Sequence, residues 1–530
     1  MRRSTDSGSA HRRPLAHRAA GLACCAVAAA SIASCGSASG PAEPPPATRD
    51  VGTTTVAPSE VPAPVQQAPQ ASDEAPGYTI DWEPVDERTD AGWITVPLDY
   101  ADPEGPTIDL RVARHRADDD RRIGVLLADN GGPGAAASTI ALNATRWFED
   151  ALLQRFDVVS WDPRGTGESA PVDCLDDAGY DQYFASGDIT PDDAAERQYL
   201  VDQARQFAST CVARSGDVLP YIGTNNSARD MDAIRQALGE EQLSYFGFSY
   251  GSELGGVWAT MFPTTVRAAV FDGASDPAAD AVESDRQQRV GFEAALDAFL
   301  ADCSAHSDCA FHNGGDAEGA YDALMAQVDA SPIPTIEGRA PVNLAVATTA
   351  AVQAMYNDRD WPVLAEALRD AADGDGNGLL ALYDEYLRRN PDGTYSNLLE
   401  AFQAITCADQ PERPSPEESD AEAATLIGVA PRTFPQTVGG YFCTFFPPAL
   451  DPRIDVTGAG AGPIVVIGTT GDPSTPLESS RAMAEALEDG RLVVVEANQH
   501  SGYNVNRCVN DVVNDYLIEL AAPADGTVCT

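Results

Sequence analysis

Lysine is absent from the 530-residue sequence, so every basic residue is arginine. That removes Schiff-base chemistry, Ser–Lys dyads and any phosphate loop that depends on its lysine. Histidine is scarce: His11, His17, His115, His306, His312 and His500 are the whole supply of imidazole bases. Positive charge as such is scarce, with 81 Asp and Glu against 34 Arg and a formal net charge of −47. Nucleic acid and anionic membrane surfaces are poor partners for such a chain, whereas a substrate with a free amino group is drawn to it. No Cys-x-x-Cys occurs and only His306 lies between closely spaced cysteines. No metal or other cofactor is expected.

What is present begins with an export signature. Arg2, Arg3, Arg12, Arg13 and Arg18 form a positive start, and an Ala-rich apolar stretch runs from Ala19 to about Ile32. The stretch is too short for a membrane span and ends in Ile32-Ala33-Ser34-Cys35, a sequence resembling a bacterial lipobox with Cys35 as the acylated residue. The Arg12-Arg13 pair also fits twin-arginine export. Residues 1–34 are therefore read as a lipoprotein signal peptide. The expected location is the outer face of the cell membrane, held by lipid alone, or outside the cell. Residues 35–77 follow as a tether: Gly36 to Gly77 has no aromatic residue, and nine prolines fall between Pro41 and Pro76. Such a segment cannot bury enough apolar surface to offset its ordering entropy.

Beyond Cys24, Cys25 and Cys35, eight cysteines remain: Cys174, Cys211, Cys303, Cys309, Cys407, Cys443, Cys508 and Cys529. An even number in an exported chain points to disulfides, although eight cysteines can pair in many ways. Nearest-neighbour pairing is the working expectation.

The length exceeds one compact core. Trp93–Leu98, Ile108–Ala113, Ile123–Ala128, Phe156–Trp161, Leu243–Phe248 and Val266–Phe271 read as strands, and Ser227–Leu238 (with Ser227 as N-cap) and Tyr250–Phe262 as helices. The alternation implies an α/β fold with a mostly parallel sheet. From about Pro277 to Asp455 helical periodicity takes over, as in Val290–Leu300 and Trp361–Ala372. Alternation then returns with Ile464–Ile467, Leu477–Leu487, Leu492–Val495 and Val505–Leu520. The organisation read from this is a core in two parts, 78–276 and 456–530, split by a helical cap insertion at 277–455.

The motif that carries chemistry is Gly247-Phe248-Ser249-Tyr250-Gly251, a G-x-S-x-G between an apolar strand and a helix. A nucleophilic serine there sits on a tight strand-to-helix turn that needs small neighbours. A serine hydroxyl needs a base. His500, in the loop after Leu492–Val495, is the candidate, while His115, His306 and His312 lie elsewhere. The acid that orients the base is read as Asp472, after Ile464–Ile467; Asp272, Asp276 and Glu496 are its rivals. The order Ser, Asp, His is that of the α/β-hydrolase fold. Asn130-Gly131-Gly132-Pro133-Gly134 is the expected oxyanion loop, with Gly131 or Gly132 giving one backbone donor and Tyr250 the other. Gly165-Thr166-Gly167, without lysine, is a structural turn.

Taken together, the sequence resembles the secreted actinobacterial tripeptidyl-aminopeptidase-like α/β hydrolases, related to proline iminopeptidases. The resemblance runs from about residue 78 to 529. It rests on Asn130–Gly134, the run Asp162–Ser169, Ala228–Asp232, Gly247–Gly251, Asp272-Gly273 with Asp276-Pro277, Ala404–Cys407 and Gly471-Asp472. Cys508 and Cys529 look like that family's C-terminal pair. The oxyanion loop departs from the family pattern: an extra Pro is missing after the Asn, and Ala135-Ala136-Ala137 stands where Gly or Ser is usual. The resemblance implies release of short peptides from a free N-terminus, or ester hydrolysis. The substrate is therefore a peptide or an ester. A carboxylesterase and, from another class, a non-catalytic binding lipoprotein are the competing readings.

Overall fold

The computed structural model describes residues 77–118, 120–185 and 187–530. The signal peptide, Cys35 and nearly all of the tether lie outside the described residues. Among the described residues ten strands form one sheet: β1 Ile80–Pro84, β2 Thr89–Pro97, β3 Thr107–His115, β4 Gly124–Asp129, β5 Phe156–Trp161, β6 Leu243–Phe248, β7 Val266–Asp272, β8 Ile464–Thr469, β9 Gly490–Val495 and β10 Thr527–Cys529. Their order is β1-β2-β3-β5-β4-β6-β7-β8-β9-β10. The first three strands meander antiparallel and β3 meets β5 antiparallel; from β5 to β10 every pairing is parallel. The chain is an α/β protein with a mostly parallel sheet, as its alternating pattern implies.

Strands β4, β5, β6 and β8 are buried along their whole length, which is why their residues are mostly apolar. One face of the sheet packs Leu127, Tyr245 and Phe271 against Trp258 and Met231; the other packs Leu126, Phe246 and Val270 against Tyr516 and Val513. Register brings Asp129 opposite Gly247, Phe248 opposite Asp272, and Asp272 opposite Ile467. The carboxyl ends of the parallel strands therefore come level, at the edge where open α/β sheets bind ligands.

Between β7 and β8 lie seven helices of ten or more residues, from Ala281–Ala305 to Pro416–Leu426, and no strand of the sheet. They enclose a core of their own around Phe292, Leu296, Val352 and Leu364. Four disulfides join Cys174 to Cys211, Cys303 to Cys309, Cys407 to Cys443 and Cys508 to Cys529, the nearest-neighbour pattern. The third ties the helix Leu398–Asp409 to the segment leading back to β8, and the fourth ties β10 to the helix Arg507–Glu519. Closing a loop of such size stabilises a fold by roughly 2–4 kcal/mol. No helix among the described residues is long and apolar enough to cross a membrane.

One helix start differs from expectation. The helix is Thr224–Ala237, capped by Gly223, and Ser227 is buried inside it. The Thr224 N–H donates to the Asp409 carboxylate at 2.6 Å, so a side chain distant in the chain satisfies one of the donors at the helix start.

Candidate active site

Ser249 connects β6 to the helix Tyr250–Met261 with φ 55° and ψ −125°. A non-glycine residue held so costs on the order of 1–3 kcal/mol and persists only where its surroundings fix it. The Ser249 N–H donates to the Asp272 carbonyl at 2.9 Å, and the Ser249 carbonyl accepts from Ser252 N–H at 2.8 Å. The flanking glycines are there for space. A β-carbon at Gly247 would fall 2.2 Å from the Gly251 carbonyl oxygen, and one at Gly251 would fall 3.0 Å from the Asp129 carbonyl and carboxylate oxygens.

His500 is fully buried, and its Nδ1 lies 2.9 Å from both oxygens of Asp472. The carboxylate is itself fixed. Ser474 and Thr475 donate backbone N–H groups to one oxygen at 3.0 and 2.8 Å, and Ser501 donates to the other at 3.2 Å. With Asp472 accepting from Nδ1–H, the lone pair sits on Nε2, which is buried and has no hydrogen-bond partner. Burial pulls the imidazolium down, but the charge and hydrogen bond of Asp472, helped by Asp272, outweigh it and leave His500 above the ordinary 6.5. The insertion also holds the base: His500 N–H donates to the Tyr356 carbonyl at 2.9 Å.

The rivals for the acid are occupied elsewhere. Asp272 accepts the backbone N–H groups of Gly502 and Tyr503 at 2.6 and 2.9 Å, while its carbonyl takes the Ser249 N–H. It thus ties the Ser249 turn to the His500 loop, and burial pushes its acid up to about 6. Between them, Gly273 (φ 67°) leaves room for the imidazole, since a β-carbon there would lie 3.0 Å from His500 Cε1. Asp276 accepts from Ala278 N–H and Gln287, and Glu496 is exposed. His115, His306 and His312 lie away from this cluster, on β3 and beyond the helix Ala281–Ala305.

The glycine loop lies against the Ser249 turn: a β-carbon at Gly131 would be 2.5 Å from the Phe248 carbonyl and 3.0 Å from Tyr250 N. The Gly131 N–H is already engaged, donating to Asp129 at 2.8 Å. Gly132, Pro133, Ser249 and Tyr250 line a cavity of about 360 Å³. Six carboxylates line it as well: Glu253, Asp276, Asp280, Asp285, Asp409 and Glu412. Arg453 is the single cation of that lining among the described residues, and its charge is matched by Glu253 at 2.8 Å.

Residues 125–313 match the family described as the alpha/beta hydrolase fold, and residues 435–529 the family described as TAP-like protein. The serine protease Hip1 of Mycobacterium tuberculosis is 34% identical over 83% of this chain and 86% of its own. Carboxylesterase B of the same organism is 34% identical over 82% and 85%. A tripeptidyl aminopeptidase of Streptomyces lividans is 29% identical over 85% and 86%. The chain belongs to the TAP-like α/β hydrolases. It is a hydrolase.

Two of the motifs noted in the sequence meet in the hydrolase core. Arg164, from the run Asp162–Ser169, and Asp230, from Ala228–Asp232, form a fully buried bidentate pair with both N–O distances 2.7 Å. Arg164 also donates to the carbonyls of Pro97, Leu98 and Tyr221, so the pair clamps three segments of the hydrolase core and touches no part of the cavity. What sequence reading did not single out is Glu253, Arg453, Asp285 and Asp409. Glu253 was the one within reach, four residues past Ser249 and so one helical turn from it.

Proposed function

We propose that this hydrolase is an aminopeptidase that removes short peptides from free N-termini, with Ser249 as nucleophile, His500 as base and Asp472 as the group that orients the base. His500 Nε2 takes the Ser249 proton as the hydroxyl oxygen attacks the scissile carbonyl. Asp472 keeps the proton on Nδ1 and stabilises the imidazolium that forms. The oxyanion is met by a backbone N–H of the Gly131-Gly132 loop and by that of Tyr250, at the N-terminus of its helix. The imidazolium then protonates the leaving amine, and water activated by the same base releases the peptide from Ser249.

The observation that carries the choice of substrate is the acidic cavity beside Ser249. Glu253 is matched by Arg453 and Asp285 by Arg289. Asp276, Asp280 and Glu412 hold no arginine within ion-pair distance among the described residues. That excess of negative charge suits the ammonium group of a peptide and repels a free carboxylate. N-acetylation of a tripeptide amide should therefore lower kcat/KM by about 10²-fold or more. Steady-state rates on free and acetylated tripeptide amides, beside butyrate and longer esters, check this. Equal cleavage of the two peptides, or cleavage of the esters alone, would replace the aminopeptidase with an esterase.

The proposal extends to location. Four disulfides suit an oxidising compartment. With the Arg-rich start and the lipobox-like Ile32–Cys35, they support export and a lipid anchor on Cys35. Mass spectrometry of the native protein should find acylated Cys35 as its first residue; a soluble form starting elsewhere would contradict the anchor.

A further inference from the structure

Asp129 ends β4 beneath the Ser249 turn, and nothing in the mechanism above uses its side chain. It is 1% exposed. One carboxylate oxygen accepts the Gly131 N–H at 2.8 Å; the other is buried and has no hydrogen-bond partner. No arginine or histidine pairs with it among the described residues. The titratable groups that face it are Asp162, just past β5, Tyr245 on β6 and Tyr250 on the following helix. The short helix Ser138–Leu142 adds none. None of these groups is a cation, so an ionised Asp129 would be a buried charge without compensation.

Its position joins the two segments that carry the oxyanion donors. Through Gly131 it holds the glycine loop. Through Gly251 it packs against the helix that starts at Tyr250, close enough that a β-carbon on Gly251 would touch its carboxylate. We infer that Asp129 is a positioning residue that works in its protonated form. Its carboxyl sets the glycine loop against the Ser249 turn, and loss of its proton places an unmatched negative charge next to the oxyanion. The inference rests on Ser249 being the nucleophile. Burial pushes the acid of Asp129 up to about 7, so the group changes charge near neutrality. The sign follows. Activity rises with pH as His500 loses its proton and falls as Asp129 loses its own.

The test is kcat/KM against pH for hydrolysis of p-nitrophenyl acetate by the full chain, an ester whose own charge does not titrate. The wild type should give a bell with an alkaline fall near neutrality, on the order of tenfold. Asp129→Asn keeps an oxygen to accept the Gly131 N–H and cannot ionise, so its profile should rise to a plateau with no alkaline fall. Asp129→Ala loses the anchor. It should lower kcat at every pH by about 10²-fold, as loss of an oxyanion donor does, with little change in KM. An alkaline fall that survives in Asp129→Asn, or is missing from the wild type, would overturn the inference. Carboxyl NMR of the wild type and of Asp129→Asn reads the group itself: the signal missing from the variant should titrate near neutrality, and one that titrates near 4 would overturn the inference too. Ser249→Ala, measured in parallel, separates the two claims. Activity retained there refutes the nucleophile itself, whereas an inert Ser249→Ala beside an unchanged Asp129→Asn profile refutes only the role of Asp129.

Discussion

His500 is the residue whose removal has the most definite consequence. It is fully buried, held at Nδ1 by Asp472 and bare at Nε2, so no neighbouring base can replace it. His500→Ala should lower kcat by on the order of 10⁴-fold, and Asp472→Asn by somewhat less, since serine, base and acid act as a unit. Turnover of a tripeptide amide checks both. A near-wild-type Asp472→Asn beside a crippled Asp276→Asn would move the acid to Asp276. At this scale the sequence was legible where a residue carries local marks. Ser249 sits in a spaced motif, and His500 stands out because histidine is scarce. Asp129, Glu253 and Arg453 carry no such mark. Two of them are among 81 acidic residues, and what singles them out is where the fold puts them: Asp129 buried beneath the Ser249 turn, Glu253 and Arg453 lining the cavity.

Elements were legible in proportion to how fully they are buried. β5 and β6 fall on the residues expected of them, because each is buried from end to end and so mostly apolar. The polar helix Ala194–Ser215 and the edge strands β1 and β10 went unread. β10 has three residues, and its place depends on the Cys508–Cys529 bridge and pairing with β9 more than on its own pattern. The insertion was legible as helical but not in its placement. That placement rests on contacts between distant segments. The helix Leu398–Asp409 seats on Gly134, where a β-carbon would lie 2.4 Å from the Leu398 carbonyl. Asn357 bridges to Gln499 next to the base. Those contacts bring Phe402, Thr406 and Asp409 to the cavity that holds Ser249.

For the molecule as a whole, acidity governs stability. Burial pushes Asp129, Glu400 and Asp409 up to about 7 and Asp272 and Asp285 up to about 6. Unfolded, these groups titrate near 4. Between about pH 4 and 7 the folded chain therefore holds more protons than the unfolded one, and stability falls as pH rises. The raised imidazole of His500 acts with the same sign. Calorimetry should find a higher Tm at about pH 5 than at about pH 8; the reverse order would show that these carboxyls are not neutral in the fold. The central claim is that Ser249 is the nucleophile at the floor of an acidic cavity. Labelling with a fluorophosphonate probe tests it most directly, because the probe traps the activated hydroxyl itself whatever the natural substrate. The purified chain should take up one adduct, on the peptide containing Ser249, and Ser249→Ala should take up none while its circular dichroism is unchanged. An adduct on the folded Ser249→Ala protein would contradict the account.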